Sequence, residues 1–265
     1  MSEVVAGDGD RAAGDGTAVG SAVWWRQWHE RQARRRPRAD GLTVERILAV
    51  SLAIVDAEGL DALTVRRIAD ELGTGSATLY RHVTSREELL ELLVDHVIGD
   101  VRQPPAELGW RAKVERLATE LRRVLIEHAG LVPALATSPL LGPNAMRGAD
   151  RGLASLLEGG FPPKVAVLAY RSLLDYVLGT VFFDTSRVGR RRRHVRDALA
   201  DDPFLVAPAL RAHDEAIGAT TNEDVFRFGL RALLDGIERQ HRAGGRPAGG
   251  PSAHGGRTHG RPADS

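Results

Sequence analysis

The chain has no cysteine, two lysines (Lys113 and Lys164) and 5% aromatic residues. Without cysteine there are no disulfides, no thiol catalysis and no thiolate metal sites, a composition that suits a reducing compartment. No N-terminal stretch joins a basic head to an unbroken apolar core, and no window approaches the ~20 apolar residues that a spanning helix needs. A cytoplasmic protein without a membrane partner is therefore expected. An excess of one charge is also missing: the formal net charge is +1, so no global basic field argues for nucleic-acid binding. Nor is there a nucleophile elbow, a P-loop or a paired-carboxylate site, so no catalytic residue, cofactor or metal site emerges and an enzyme is not expected. His29-Glu30 lacks the second histidine of a zinc-protease helix, and no strand precedes Gly7-Asp8-Gly9-Asp10-Arg11-Ala12 to make it a dinucleotide loop. His254 and His259 offer only an adventitious metal contact.

What is present is 265 residues, 43% hydrophobic and 27% charged, enough for one large domain or two modest ones. Positive charge is concentrated locally. Residues 26–38 hold Arg26, Arg31, Arg34, Arg35, Arg36 and Arg38 against Glu30, and residues 187–196 hold six arginines and no acid. Helix surfaces use either cation for solvation, so codon bias explains the arginine preference as readily as function does. Residues 1–22 and 243–265 are Gly-rich and bury almost nothing, which predicts disordered tails.

Between the tails the apolar period is that of a helix throughout, which predicts an all-α fold. A first helix runs from Thr43 as N-cap to Gly59, burying Val44, Ile47, Leu48, Ser51 and Val55. A second runs from Thr64 to Gly73, burying Val65, Ile68, Ala69 and Leu72. The turn Gly73-Thr74-Gly75 leads into a short third helix, about Ser76 to His82, the layout of a helix-turn-helix. Ser85 and Glu88 have capping-box spacing and open a fourth helix reaching about Val101. Pro104 and Pro105 mark a boundary. Beyond it come amphipathic helices over Trp110–His128 and near Ala145–Leu157. A helix over Val165–Phe183 is apolar nearly all round and should be buried on every side, and a last helix spans about Asn222–His241. The domains expected are an extension over 1–40, disordered or basic and Trp/Arg-rich, a helix-turn-helix unit over 41–102, a helical unit over 106–242 and a tail over 243–265.

The run Leu63-Thr64-Val65-Arg66-Arg67-Ile68-Ala69-Asp70-Glu71-Leu72-Gly73, then Thr78-Leu79-Tyr80-Arg81-His82-Val83 and Leu89-Leu90, resembles the DNA-binding domain of the tetracycline-repressor (TetR) family. More loosely, Trp110–His128, Glu158-Gly159-Gly160-Phe161 and Phe226-x-x-Gly229-Leu230-x-x-Leu233-Leu234-x-Gly236 resemble the ligand-binding and dimerisation domain of the tetracycline-repressor subclass. The resemblance implies three N-terminal helices joined by a fourth to a helical effector-binding domain. It also implies a transcription regulator, in the usual case a repressor released from DNA by a small molecule. By motif position, Arg66, Ser76, Ala77, Thr78, Tyr80, Arg81, His82 and Arg86 would meet DNA. Small side chains at 76–78 let the backbone approach base edges, and Tyr80 and His82 have the reach for phosphates. Ser76 and Arg81 depart from the tetracycline repressor itself, which implies a different operator.

A lone helix-turn-helix reads too few base pairs, so a homodimer on an inverted repeat of double-stranded DNA is expected, joined through the helices near 165–183 and 222–241. Polar groups set among apolar ones supply pocket candidates for an unknown small-molecule effector: His128, Tyr170, Arg171, Asp175, Tyr176 and Asp184, walled by Met146, Phe182 and Phe183. For each of these a plain core or interface role competes. Asp175 needs a cationic partner, either Arg171 one turn earlier or a ligand. No histidine in 131–138 matches the metal-chelating residue of the tetracycline repressor, which argues against a magnesium–tetracycline ligand. Trp24-Trp25-Arg26-Gln27-Trp28, running on to Arg38, could anchor on a membrane surface, stack on a partner, lie along DNA as a basic arm or pack on the domain as a plain N-terminal helix, and its place just before the helix-turn-helix favours the last two. Two rival functions remain, a non-sequence-specific architectural DNA or membrane-surface binder and a small-molecule enzyme.

Overall fold

The computed structural model describes residues 18–34, 42–185 and 207–244, and among these every regular element is helical. The rest of the expected tails, Arg35, Arg36, Arg38 and the Arg187–Arg196 run lie outside the described residues.

Helix α1 spans Ala22–Ala33, opened by the Ser21 hydroxyl accepting from the Trp24 amide at 3.1 Å. This segment is a helix packed on the domain over residues 22–33. Trp24 and Trp25 are buried edge to face, with ring centroids 4.9 Å apart. Helix α2 (Val44–Glu58) starts at Thr43, which accepts from the Arg46 amide, and stops at Gly59, whose φ is 86°. Helix α3 (Val65–Leu72) is capped by Thr64 and ends on Gly73 in the left-handed conformation, a C-terminal stop that costs glycine little. Helix α4 (Ser76–Tyr80) ends two residues before the expected His82, which lies in the turn that follows.

Helix α5 (Arg86–Ile98) begins as expected at Ser85, which accepts from the Glu88 amide at 3.1 Å. The capping box is shifted, however, because the Glu88 carboxylate accepts from the backbone and hydroxyl of Thr84 rather than from the Ser85 amide. The helix stops at Ile98, short of Val101.

The second layer contains α6 (Trp110–Glu127), a turn at 129–131 running into the one-turn α7 (Val132–Leu135), α8 (Pro143–Glu158) and α9 (Pro163–Thr185). After the short α10 (Pro208–Ala212) and α11 (Asp214–Ala219), α12 (Asn222–Gly244) closes the domain. Helices α6, α8 and α9 pack on one another, and α12 lies on α9 and α6. Gly229 is the contact point of α12 with α9, since a Cβ there would meet the ring of Tyr176, whose hydroxyl donates to the Phe226 carbonyl at 2.9 Å.

Two expectations about α9 are corrected. By length and composition it is apolar enough to cross a bilayer, because Val, Leu and Phe dominate its 23 residues around isolated charges. It is also not buried all round: Ala166, Ala169, Leu173, Val177 and Val181 face the core, while Val167, Leu168, Phe182 and Phe183 stand exposed. The single chain supplies core for one face only.

Candidate functional site

The helix-turn-helix is α3, the turn at 73–75 and α4. Ile68 of α3 and Leu79 of α4 are buried with Ile47 of α2 and Val83, which fixes the face that α4 turns outward. On that outer face Ser76, Ala77, Tyr80 and Arg81 are exposed and Thr78 and His82 half-exposed, with Tyr80 showing 51% of its surface. The Arg81 guanidinium donates to the Thr78 hydroxyl at 3.0 Å, so these two residues present one polar unit. Arg66, at the start of α3, is among the most exposed side chains and has only a loose pairing with Asp70 at 4.0 Å. Arg86 sits differently, turned toward the connection between α2 and α3, where it donates to the carbonyls of Leu60 (3.0 Å) and Leu63. Seven of the eight sequence-derived positions thus lie on or beside one surface, and Arg86 braces that surface from behind.

The second feature is a cavity of about 580 Å³ lined by α6, α8, α9, the end of α5 and the 135–140 loop and open to solvent at one side. Its volume falls in the range of small-molecule sites, ~300–1,000 Å³. Leu117, Leu121, Leu125, Leu156 and Leu178 make an apolar floor, and Tyr170, Arg171 and Asp175 line the wall as sequence reasoning expected. Burial pushes the Tyr170 hydroxyl above its ordinary pKa, so it remains a hydrogen-bond donor. Asp175 finds the partner anticipated for it, the Arg171 guanidinium at 3.2 Å.

The other pocket candidates lie elsewhere. His128 pairs with Asp56 of α2 at 2.9 Å and borders only a void of about 10 Å³. Tyr176 stacks on Phe226 and bonds the α12 backbone. Asp184 forms an ion pair with buried Arg122 at 2.6 Å, and Met146, Phe182 and Phe183 point to solvent. Helical period alone cannot say which of two packed faces a residue joins, and these six lie off the lining of the cavity. Missed by the sequence reading were Gln103, Ser138, Asn144, Arg147 and Arg151, all on the cavity wall. The i, i+4 spacing of Arg147 and Arg151 was the available signal.

Two buried carboxylates tie α5 to the cavity wall, and one of them also to α1. Asp95 accepts from the amides of Asn144 and Ala145, both at 3.0 Å, so it caps α8 from another helix in place of a local N-cap side chain. Gly142 permits this, since a Cβ there would collide with Asp95. One turn earlier Glu91 bonds the Ser138 hydroxyl and accepts from the Trp25 indole at 3.4 Å, and burial holds its carboxyl above the usual pKa. A third tie is Gly130, which sits so close to the Val55 carbonyl of α2 that no side chain fits.

Residues 47–93 match the family described as "Bacterial regulatory proteins, tetR family", and residues 103–241 match "Tetracyclin repressor-like, C-terminal domain". The chain belongs to the TetR family. It is a DNA-binding transcriptional regulator of the helix-turn-helix type. Among relatives, the transcriptional repressor DrrR1 of Streptomyces coeruleorubidus is 33% identical over 224 residues, 78% of this chain and 81% of that one. The class E tetracycline repressor of Escherichia coli is 27% identical over 75% of this chain and 92% of its own. The crystal structure of the TetR-family protein ActR of Streptomyces coelicolor in complex with actinorhodin superimposes with a TM-score of 0.66. That structure is 33% identical, and the match covers 76% of this chain and 97% of that one. The TetR fold accounts for both features, a polar exposed α4 in one unit and a largely apolar cavity open at one side in the other.

Proposed function

We propose that the protein is a cytoplasmic, homodimeric repressor that grips an inverted-repeat operator through α3 and α4 and releases it when a small molecule fills the cavity. The observation that carries this reading is the pair of buried α5 carboxylates, because Glu91 and Asp95 hold the cavity wall on the helix that also packs against α2, the helix on which α3 rests. A ligand that moves the 138–145 segment must move α5 or break those bonds. The energy available to weaken DNA binding is then the ligand's difference in affinity for the two arrangements.

We assign residues 41–102 to the DNA-reading unit and 106–242 to the effector-binding and dimerising unit, with 1–40 as an extension and 243–265 as a tail. Ser76, Ala77, Thr78 and Arg81 would read base edges, while Arg66, Tyr80 and His82 would hold phosphates and Arg86 would keep α4 in register. The exposed apolar stripes of α9 and α12 support a two-fold interface between chains. ActR, similar along most of its length, is known bound to actinorhodin, which supports a ligand of that general size for the cavity. In a selection of genomic fragments by purified protein at physiological salt, enrichment of one inverted repeat is the expected result. Uniform recovery would replace this reading with an architectural DNA binder.

A further inference from the structure

The charge at the mouth of the cavity is one-sided. Among the lining residues Arg147 and Arg151 of α8 and Arg171 of α9 are cationic, and Asp175 alone is anionic. Asp175 is already engaged by Arg171. Arg147 donates to the side-chain oxygen of Asn144, a neutral partner, and Arg151 makes no ion pair among the described residues. Two guanidinium groups one helical turn apart thus edge an apolar chamber, and Asp150, which lies between them along α8, is not part of its lining. Beneath them stand the Tyr170 hydroxyl and the floor of leucines. Gly152 lets the Tyr170 ring lie against α8, since a Cβ there would come within 3.1 Å of it.

Guanidinium groups bind carboxylates, sulfonates and phenolates by paired, charge-assisted hydrogen bonds, which strengthen beside an apolar wall that excludes water. We propose that the effector is an amphipathic anion: a flat apolar body seated on Leu117, Leu121 and Leu156, with an acidic group turned to Arg147 and Arg151. This rests on the reading of the cavity as the effector site and adds the chemical class of what fills it. Arg171 and Asp175 cancel each other and close one side. The α8 pair supplies the discrimination between an acid and its neutral analogue.

Two fluorescent probes of nearly the same shape test the proposal, anionic anilinonaphthalene sulfonate and neutral phenylnaphthylamine, titrated against the full chain. The wild-type protein is expected to bind the sulfonate more tightly. The double variant Arg147→Gln/Arg151→Gln, altered only at exposed side chains, is expected to bind it about 10-fold more weakly while keeping its affinity for the neutral probe. Equal affinity for both probes, or a sulfonate affinity indifferent to the two substitutions, overturns the anionic class. Gly148→Phe separates that failure from failure of the cavity itself. Gly148 lines the chamber and a Cβ there meets nothing within 4 Å, so a ring at this position is expected to take up part of the chamber, with helical content by circular dichroism as the check that α8 is kept. Loss of both probes in Gly148→Phe locates them in the cavity. Retention of both places them elsewhere on the chain and removes the site on which the proposal stands.

Discussion

Among the described residues of the second domain, Arg122 is the one buried charged side chain. It is 7% exposed, pairs with Asp184 at 2.6 Å and Glu223 at 3.5 Å, and lies 4.6 Å above the Phe226 ring. One guanidinium therefore joins α6, α9 and α12. Removing it leaves the Asp184 carboxylate in a site with little water, so Arg122→Ala should cost about 3–5 kcal/mol in chemical denaturation. A loss below about 1 kcal/mol would mean that the carboxylates reach solvent easily. Glu91 gives a prediction of a different kind. Its pKa in the folded state is raised by burial, so over the interval between the ordinary glutamate pKa and that raised value the native chain binds more protons than the unfolded one. Its contribution to stability is therefore greatest at acid pH and is lost as pH rises through the folded value. Glu91→Gln keeps an acceptor for Trp25 and Ser138 but cannot ionise. Its melting temperature relative to wild type should rise with pH across that interval, and a constant difference would show that Glu91 is not desolvated.

At the scale of elements, α1 decides between two pictures of the Trp/Arg-rich segment. Trp25 is buried against α5 and Arg31 lies 3.6 Å from the buried Glu88 carboxylate, so the helix is part of the packing of the first domain. Trp25→Ala should cost about 3–5 kcal/mol in stability. Neutralising the exposed Arg26 and Arg34 should leave the salt dependence of DNA binding unchanged, and a shallower slope would show that they reach phosphates. Sequence alone placed α2, α3 and the start of α5 within a residue, because Thr43, Thr64 and Ser85 are caps whose chemistry is local. It could not choose between arm and packed helix for residues 24–33, since Trp25 is buried by Glu91, 66 residues away. The cavity was half legible for the same reason. Tyr170, Arg171 and Asp175 follow from the pattern along α9, whereas Arg147, Arg151 and Ser138 join them on the cavity wall only when α8 and the loop before it pack against the rest of the domain. His128 was misread because its partner Asp56 belongs to the other domain.

The whole molecule leaves a surface that a single chain does not explain. Val167 and Leu168 on α9 and Val225 and Phe228 on α12 are all more than half exposed, Phe228 at 72%. Soluble monomers seldom leave so many large apolar groups open on two adjacent helices. Two copies related by a two-fold axis would cover both stripes and form a four-helix interface, for which about 800 Å² per chain is the usual requirement. The dimer would also carry two α4 helices, and a two-fold reader of B-DNA needs them about one helical turn apart, ~34–36 Å. Introducing charge into the stripes should separate these roles. In Leu168→Glu/Phe228→Glu each chain should keep its helical content, because both side chains already face water within the protomer. Sedimentation should then report a monomer, and operator affinity should fall to the level seen with unrelated DNA. A variant that sediments as a dimer would place the interface on another face. A monomer that still selects its operator would make one helix-turn-helix sufficient for recognition and leave the second copy without a role in reading sequence.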